Sequence, residues 1–228
     1  MRGSSLTEPF AGIYEVSDAA RIIYATSPRP QGYPVTNRHI IRWIRRGLAL
    51  PSLADVPGRE LLMSFPDLIS MRVIALLRMI GVSFHAIYTA ERWLRDTTGV
   101  TRPFATEIIW TESRHIFTDR AGQLIAASLG GQYAFTELME EHLIPIAGLT
   151  FDPSGIADSW APHGFDVVVL RPDVQFGAPC IRGTRTPTRA LWEMYQGGDS
   201  PPFLAEVYDL SLANVQSAIE WETCLAAA

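Results

Sequence analysis

The sequence predicts an α+β protein in which capped helices at both ends of the chain flank a region of short strands. Of its 228 residues, 47% are hydrophobic and 10% are aromatic, which favours a folded core over disorder. Apolar residues recur at helical spacing near both ends, whereas short apolar runs separated by glycine-containing turns fill the middle. We therefore predict three regions: a helical one over 11–100, a strand-rich one over 101–163, and a unit of three helices over 164–228.

The first region is expected to hold four helices, with hydroxyl side chains at their N-caps. A proline-rich loop separates the first two helices, and a proline-containing hairpin, or wing, over 48–60 separates the second from the third. The pattern is helical from Ile13, and Ser17 is the expected N-cap of the first helix. The other three helices are predicted over Asn37–Arg46 after Thr36, over Pro66–Ile80 after Ser64, and over Phe84–Arg95 after Ser83.

The middle region is expected to form strands over 107–111, 115–118, 123–126 and 132–135, followed by a short helix over 137–142. Strands over 146–151 and 156–160 should flank a turn at Asp152-Pro153-Ser154-Gly155, and a buried strand over 167–170 opens the last region. Helices over 188–196, from Ser200 to about Tyr208, and over 212–225 after Ser211 close the chain.

Charge is distributed unevenly along the chain. The formal net charge is −5, yet residues 1–100 contain 12 Arg and 8 acidic residues, whereas residues 101–228 contain 7 Arg and 16 acidic residues. Six arginines and no acidic residue lie between Asp18 and Asp55. Because the surface field is set locally, a basic segment of this kind is compatible with nucleic-acid binding in an acidic protein.

The predicted second helix separates into an arginine face and an apolar face, and the apolar face contains Ile40, Ile41, Ile44 and Leu48. A short helix of this type that follows another helix is suited to reading the DNA major groove, where arginine binds phosphate or guanine. The alternative is an ordinary solvated surface helix, although such helices usually mix both signs of charge. The predicted DNA-binding residues are Thr36, Asn37, Arg38, Arg42, Arg45 and Arg46.

The last region contains a constrained segment over 176–187, in which Gly177 and Gly183 permit positive φ while Pro179 and Pro187 fix φ. Arg182, Arg185 and Arg189 accompany it, and they are candidates for contacts with a protein partner or simply for local pairing. From residue 190 onward there are six acidic residues and no basic one, so this unit would repel DNA and favours a protein partner.

Two family resemblances follow from these motifs. The segment Gly177–Pro187 resembles the signature of the domain-of-unknown-function family four-three-three, which is found in antitoxins of bacterial toxin–antitoxin pairs. The first region, with Arg42-Trp43-Ile44-Arg45-Arg46-Gly47 at the end of its second helix, resembles the winged helix-turn-helix of MerR-type regulators. The order of parts resembles the longer VapB-type antitoxins.

These resemblances imply an antitoxin that binds operator DNA and neutralises a PIN-domain-like ribonuclease toxin. A homodimer is expected because a palindromic operator matches two-fold symmetry. A cytoplasmic location is the default expectation for this sequence. The last three helices would then form a helix-turn-helix-like antitoxin domain. One rival is a stand-alone MerR-like transcriptional regulator that senses a small ligand, and another is an interaction module with no role in DNA binding. The toxin's carboxylate-rich active site would suit an inserted arginine, with Arg182 and Arg185 as candidates.

Enzymatic activity, a metal and a cofactor are not expected. The five histidines are scattered and lack metal-ligand spacing, and the glycine pairs lack the context of a phosphate loop. Cys180 has no candidate base in its sequence neighbourhood, so it is interpreted as a packing residue. No apolar run is long enough to span a membrane, and the first residues do not resemble a signal peptide.

Overall fold

The computed structural model describes residues 12–27, 35–47, 61–79, 81–107 and 148–228. Its N-terminal elements are β1 (Tyr14–Glu15), α1 (Val16–Ala25), α2 (Asn37–Arg45), β2 (Leu62–Met63), α3 (Phe65–Met79) and α4 (Phe84–Thr98). Its C-terminal elements are β3 (Leu149–Phe151), β4 (Ala157–Trp160), β5 (Val168–Val169), β6 (Cys180–Ile181), α5 (Thr188–Gln196), α6 (Pro201–Val207) and α7 (Leu212–Ala226). Helices and small antiparallel sheets are thus combined, which confirms the predicted α+β class.

Hydroxyl caps start most of these helices at the positions that the sequence predicts. Ser83 Oγ accepts a hydrogen bond from the Ala86 N–H at 3.1 Å, and Ser211 Oγ accepts one from the Asn214 N–H at 3.1 Å. Asp67 reinforces the start of α3, because its Oδ2 accepts hydrogen bonds from the N–H and hydroxyl of Ser64, at 2.9 and 2.8 Å. Each cap satisfies a backbone donor that the first turn leaves without a partner.

The predicted cap of the first helix is wrong. Ser17 lies inside α1, which begins at Val16, and the N-cap position belongs to Glu15. The reason is tertiary: Tyr14 and Glu15 pair with Met63 and Leu62 in an antiparallel sheet, and this pairing keeps the backbone extended up to the start of the helix.

Two further hairpin-like pairs organise the second half. β3 and β4 are antiparallel and flank the predicted turn, where Asp152 Oδ1 accepts hydrogen bonds from the Ser154 and Ile156 N–H groups at 2.8 and 3.0 Å. β5 pairs with β6. The predicted wing over 48–60, the strands over 115–135 and the helix over 137–142 lie outside the described residues, as does most of the predicted strand over 107–111.

A continuous apolar core joins the two ends of the chain. It includes Ile23 of α1, Leu68 of α3 and Trp221 of α7, all fully buried. The indole of Trp221 contacts the Phe165 ring edge-on, with 5.1 Å between ring centroids. A smaller cluster, which includes Leu191, Leu204 and Val215, holds α5, α6 and α7 together. The predicted limits of the three regions stay a prediction, but α7 packs against α1 rather than only against its own neighbours.

Arg72 of α3 is fully buried and ties α1 to β4. Its guanidinium donates to the Thr26 carbonyl at 2.6 Å and to the Thr26 hydroxyl, and it stacks over the Trp160 ring at 4.8 Å from the centroid. Burial lowers the pKa of Arg72 to about 9, because a charged guanidinium is poorly solvated there. The carbonyl and the ring face compensate in part for that lost hydration.

Candidate nucleic-acid interface

The second helix has the two faces that its sequence predicts. Ile40 is buried, Ile41 and Ile44 are half-buried, and Arg38, Arg42 and Arg45 are all exposed. Trp43 is also buried, although it is not part of the predicted apolar face, and Leu48 lies outside the described residues. The indole anchors the helix from the side, and the His39 ring stacks on it at 6.2 Å between centroids.

The first turn of α2 is held by a backbone-to-histidine hydrogen bond. The Thr36 N–H donates to His39 Nδ1 at 3.3 Å, while the Thr36 carbonyl accepts from the Ile40 N–H at 3.2 Å. Thr36 and Asn37 are exposed beside Arg38. The predicted site residues at this end of the helix therefore lie together on one surface.

The four arginines of α2 and its C-cap differ in what they contact. Arg46 stacks over the Phe84 ring of α4, with 5.1 Å from the guanidinium carbon to the ring centroid. Among the described residues, no carboxylate forms an ion pair with Arg38, Arg42 or Arg45, whereas arginines elsewhere, such as Arg102 with Asp67, have one. Within the described part of the chain, three of the four arginines therefore present a charge with no carboxylate partner to solvent, whereas Arg46 also packs against the fold.

A groove of about 850 Å³ runs between α1 and the start of α2. Arg21 of α1 faces this groove, although it is not among the predicted DNA-binding residues. Its lining residues are Ser17, Ala20, Arg21, Val35, Thr36, Asn37, Arg38, His39, Arg42, Ala226 and Ala228. The acid-free stretch after Asp18 in the sequence was the one signal that could have included Arg21.

The constrained segment binds the residues that lead into α1. Gln175 and Phe176 adopt positive φ of 48° and 58°, and Gly177 follows at 93°. The Phe176 carbonyl accepts from the Ile13 N–H at 2.9 Å, and the Gly177 carbonyl accepts from the Tyr14 hydroxyl at 2.7 Å. A Cβ at Gly177 would overlap that hydroxyl, so glycine is required by close approach as well as by φ.

The three arginines predicted to meet a partner do not share one environment. Arg182 donates from Nε to the Asp166 carbonyl at 2.8 Å, and Arg189 pairs with Glu193 at 2.8 Å, one turn further along α5. Arg185 is exposed and forms no ion pair with a described residue. Local pairing, the simpler of the two predictions, thus accounts for Arg182 and Arg189 better than for Arg185.

A second cavity, of about 450 Å³, lies between α1 and the constrained segment. Its walls are mostly apolar or aromatic, and Phe176 at its edge is 66% exposed. Glu222 lies in its wall and accepts a hydrogen bond from the Thr188 hydroxyl. Burial raises the pKa of Glu222, while the Thr188 hydrogen bond and the charge of Arg189 oppose that rise. We call this cavity the junction cleft; its lining residues are Ile13, Tyr14, Asp18, Arg21, Ile22, Gln175, Phe176, Ala178, Pro179, Pro187, Arg189, Trp192, Glu222, Leu225 and Ala226.

Cys180 is buried in β6, and burial raises the pKa of its thiol to about 11, which opposes the formation of a thiolate nucleophile. Within the described ranges, no three or more His, Cys, Asp or Glu side chains gather as a metal site would require. The expectation that the protein is not an enzyme stays a prediction. Within those same ranges, no helix combines the length and apolarity needed to cross a membrane.

Comparison with protein-family models supports the family resemblance predicted for the C-terminal region. Residues 168–221 match the family described as "Protein of unknown function (DUF433)". That match confirms the resemblance based on the glycine-threonine-arginine motif and falls inside the predicted 164–228 region. No curated protein matches the chain.

The fold resembles the X-ray crystal structure of Rv2018 from Mycobacterium tuberculosis. The TM-score is 0.70 and the sequence identity is 19%, with 90% of this chain and 96% of that chain covered. At this identity the likeness concerns the fold alone. It extends beyond the 168–221 segment, since 90% of this chain is covered.

Proposed function

We propose that the protein is the antitoxin of a type II toxin–antitoxin system, which represses its own operon through α2 and silences a PIN-domain-like ribonuclease through its C-terminal part. The family match at 168–221 supports the second half of this proposal by way of the motif's resemblance to antitoxin sequences. The α2 surface supports the first half.

The observation that carries the DNA-binding proposal is the exposed arginine face of α2. Arg38, Arg42 and Arg45 project from one side of a helix whose other side is fixed by Ile40 and Trp43. A helix anchored in this way can present its side chains to the major groove without rearrangement. In this proposal α1 and α2 are the helix-turn-helix pair.

DNA binding is tested by titrating the purified protein with the DNA upstream of its own gene at increasing salt. Neutralisation of several phosphates predicts a steep loss of affinity with salt, and the Arg42→Ala variant should bind more weakly than the wild type. The absence of binding at low salt would reject this half of the proposal. The oligomeric state is measured in the same preparation, since a palindromic operator requires a two-fold symmetric dimer.

The toxin-binding half predicts a partner encoded beside this gene. Co-expression with that ribonuclease should restore growth, and the two proteins should co-purify. Of the three motif arginines, Arg185 is the best candidate for insertion into a carboxylate-rich active site, because Arg182 and Arg189 have local acceptors. Failure of the pair to associate would reject this half and leave DNA binding untouched.

The junction cleft favours a second candidate, a MerR-like regulator that senses a small ligand. Its volume of about 450 Å³ falls in the range of ligand pockets, and it combines an apolar lining with a few charged groups. This candidate predicts that a small molecule changes DNA affinity in the absence of any toxin. A neighbouring ribonuclease that forms a complex would decide for the antitoxin instead.

A further inference from the structure

The groove between α1 and α2 concentrates positive charge from two helices. Arg21 reaches it from α1, while Arg38 and Arg42 reach it from α2. The other polar residues along it are Ser17, Thr36, Asn37 and His39, and no Asp or Glu is among its described lining residues. A groove whose described lining offers arginines and hydroxyls but no carboxylate has the chemistry of an oxyanion site.

Arg21 pairs weakly with Asp18 and could form a stronger interaction with a phosphate group. Its guanidinium lies 3.8 Å from Asp18, and both side chains are about half exposed, at 55% and 47%. An exposed pair at this distance contributes little in water, whereas arginine and phosphate can form two parallel charge-assisted hydrogen bonds. Asp18 therefore lowers the positive charge that Arg21 presents to the groove, but it does not line the groove itself.

We propose that this groove is a phosphate-binding site, with Arg21 as a ligand alongside Arg38 and Arg42. The inference rests on the proposed DNA binding, in which the phosphate belongs to the DNA backbone. In helix-turn-helix proteins the first helix crosses the backbone while the second reads base edges, so Arg21 is placed to position the protein rather than to select sequence. The N-terminus of α2, which borders the groove, adds backbone N–H groups and a favourable dipole.

The C-terminal end of α7 limits the groove on one side through Ala226 and Ala228. The same Ala226, together with Arg21, also lines the junction cleft. Arg21 thus lies between the two cavities, and the groove is built partly from the C-terminal helix. Deletion of that helix would remove one wall of the groove, so the test uses the full chain.

The test compares Arg21→Ala with Arg92→Ala as a matched control. Arg92 is also an exposed helical arginine in a long ion pair, 3.9 Å from Asp96, but it lies on α4 and does not line the groove. Affinity for the upstream DNA and for a duplex of unrelated sequence is measured at several salt concentrations. Arg21→Ala should reduce the slope of log K against log salt by about 0.9, equally for both duplexes, and Arg92→Ala should leave it unchanged.

Asp18→Asn provides the opposite change, since removal of the competing carboxylate should tighten binding to both duplexes and steepen the salt dependence. Thermal unfolding of each variant checks that the fold is intact. If the wild type binds DNA and Arg21→Ala binds equally well, the phosphate site is rejected while the proposed function stands.

Inorganic phosphate separates the two sources of the ligand. In one outcome the wild type fails to bind DNA, but inorganic phosphate raises its melting temperature and raises that of Arg21→Ala less. The groove is then a site for free phosphate, and the proposed DNA binding is rejected. If neither DNA nor phosphate binds, both the groove site and the DNA role are rejected.

Discussion

The α2 helix and the closing helices α5–α7 are both helical surfaces of the same fold, yet they expose opposite chemistry. α2 presents Arg38, Arg42 and Arg45 with no described carboxylate partner. α6 presents Phe203 and Val207, 49% and 53% exposed, beside Glu206. One surface suits a polyanion, and the other suits a protein with apolar and basic groups. Similar local structure therefore says little about the partner, because the exposed residues decide it.

The two regions nevertheless share one core, since α7 packs on α1. Trp221→Ala tests the shared core and should have the largest effect on stability. The indole is fully buried among residues from both ends of the chain, and its removal should cost about 3–5 kcal/mol. Urea denaturation should show the loss in one transition, with weaker DNA binding in parallel. Tyr195→Ala, at a 40% exposed site, should change stability little, and a separate unfolding step for the C-terminal helices would contradict the shared core.

Gly177→Ala probes the clamp between the two regions. The new Cβ would overlap the Tyr14 hydroxyl and would strain a φ of 93°, at a cost of about 1–3 kcal/mol. Gly183→Ala is the control, because its φ of 77° is also positive but nothing lies within 4 Å of the added Cβ. The difference between the two variants' decreases in melting temperature measures the destabilisation caused by the overlap with the Tyr14 hydroxyl. Equal losses would show that backbone conformation alone accounts for both.

Arg42→Ala sharpens the contrast in charge. On the proposed function, Arg42→Ala removes one phosphate or base contact and should weaken DNA binding roughly tenfold at low salt, because such a contact is worth about 1–3 kcal/mol. Arg189→Ala removes the same charge from the C-terminal region and should leave DNA affinity unchanged, since Arg189 pairs with Glu193. An equal effect of both variants would indicate that only net charge matters.

Glu222→Gln should have the smallest effect, and it depends on pH. Burial raises the pKa of the Glu222 carboxyl in the folded protein, so its ionisation opposes folding. The stability contributed by the protonated carboxyl is present below the pKa of the unfolded chain and is lost as the pH rises through the pKa of the folded protein. The variant should be more stable than the wild type at neutral pH, with the difference vanishing below the pKa of the unfolded chain. Thermal melts across this pH range measure the difference; a constant offset would contradict the titration.

Much of the fold was predictable because helix starts are local. Ser64, Ser83 and Ser211 cap the helices expected from their positions, since a hydroxyl and the backbone N–H groups just after it are always close. Ser17 had the same pattern and did not cap, because strand pairing of Tyr14 and Glu15 moved the helix start. A local rule fails where a distant segment fixes the backbone.

The candidate site divides in the same way. The arginine face of α2 follows from helical spacing, so its exposed residues were predicted from sequence. Arg21 was not among the predicted residues, because its place beside Arg38 depends on how α1 packs against α2. The motif arginines were grouped by proximity in sequence, but their acceptors, the Asp166 carbonyl and Glu193, separate them.

By itself, the sequence determined the α+β class, most of the described helices, the basic face of α2 and the acid-only closing tract. Each of these depends on residue type and on neighbours a few positions away. Only the tertiary structure decided that the two ends join, with the Tyr14 hydroxyl bonded to the Gly177 carbonyl across 163 positions. It likewise placed Arg21 between the groove and the junction cleft. Such pairings arise from burial of shared apolar surface, which is collective and has no short-range signature in the chain.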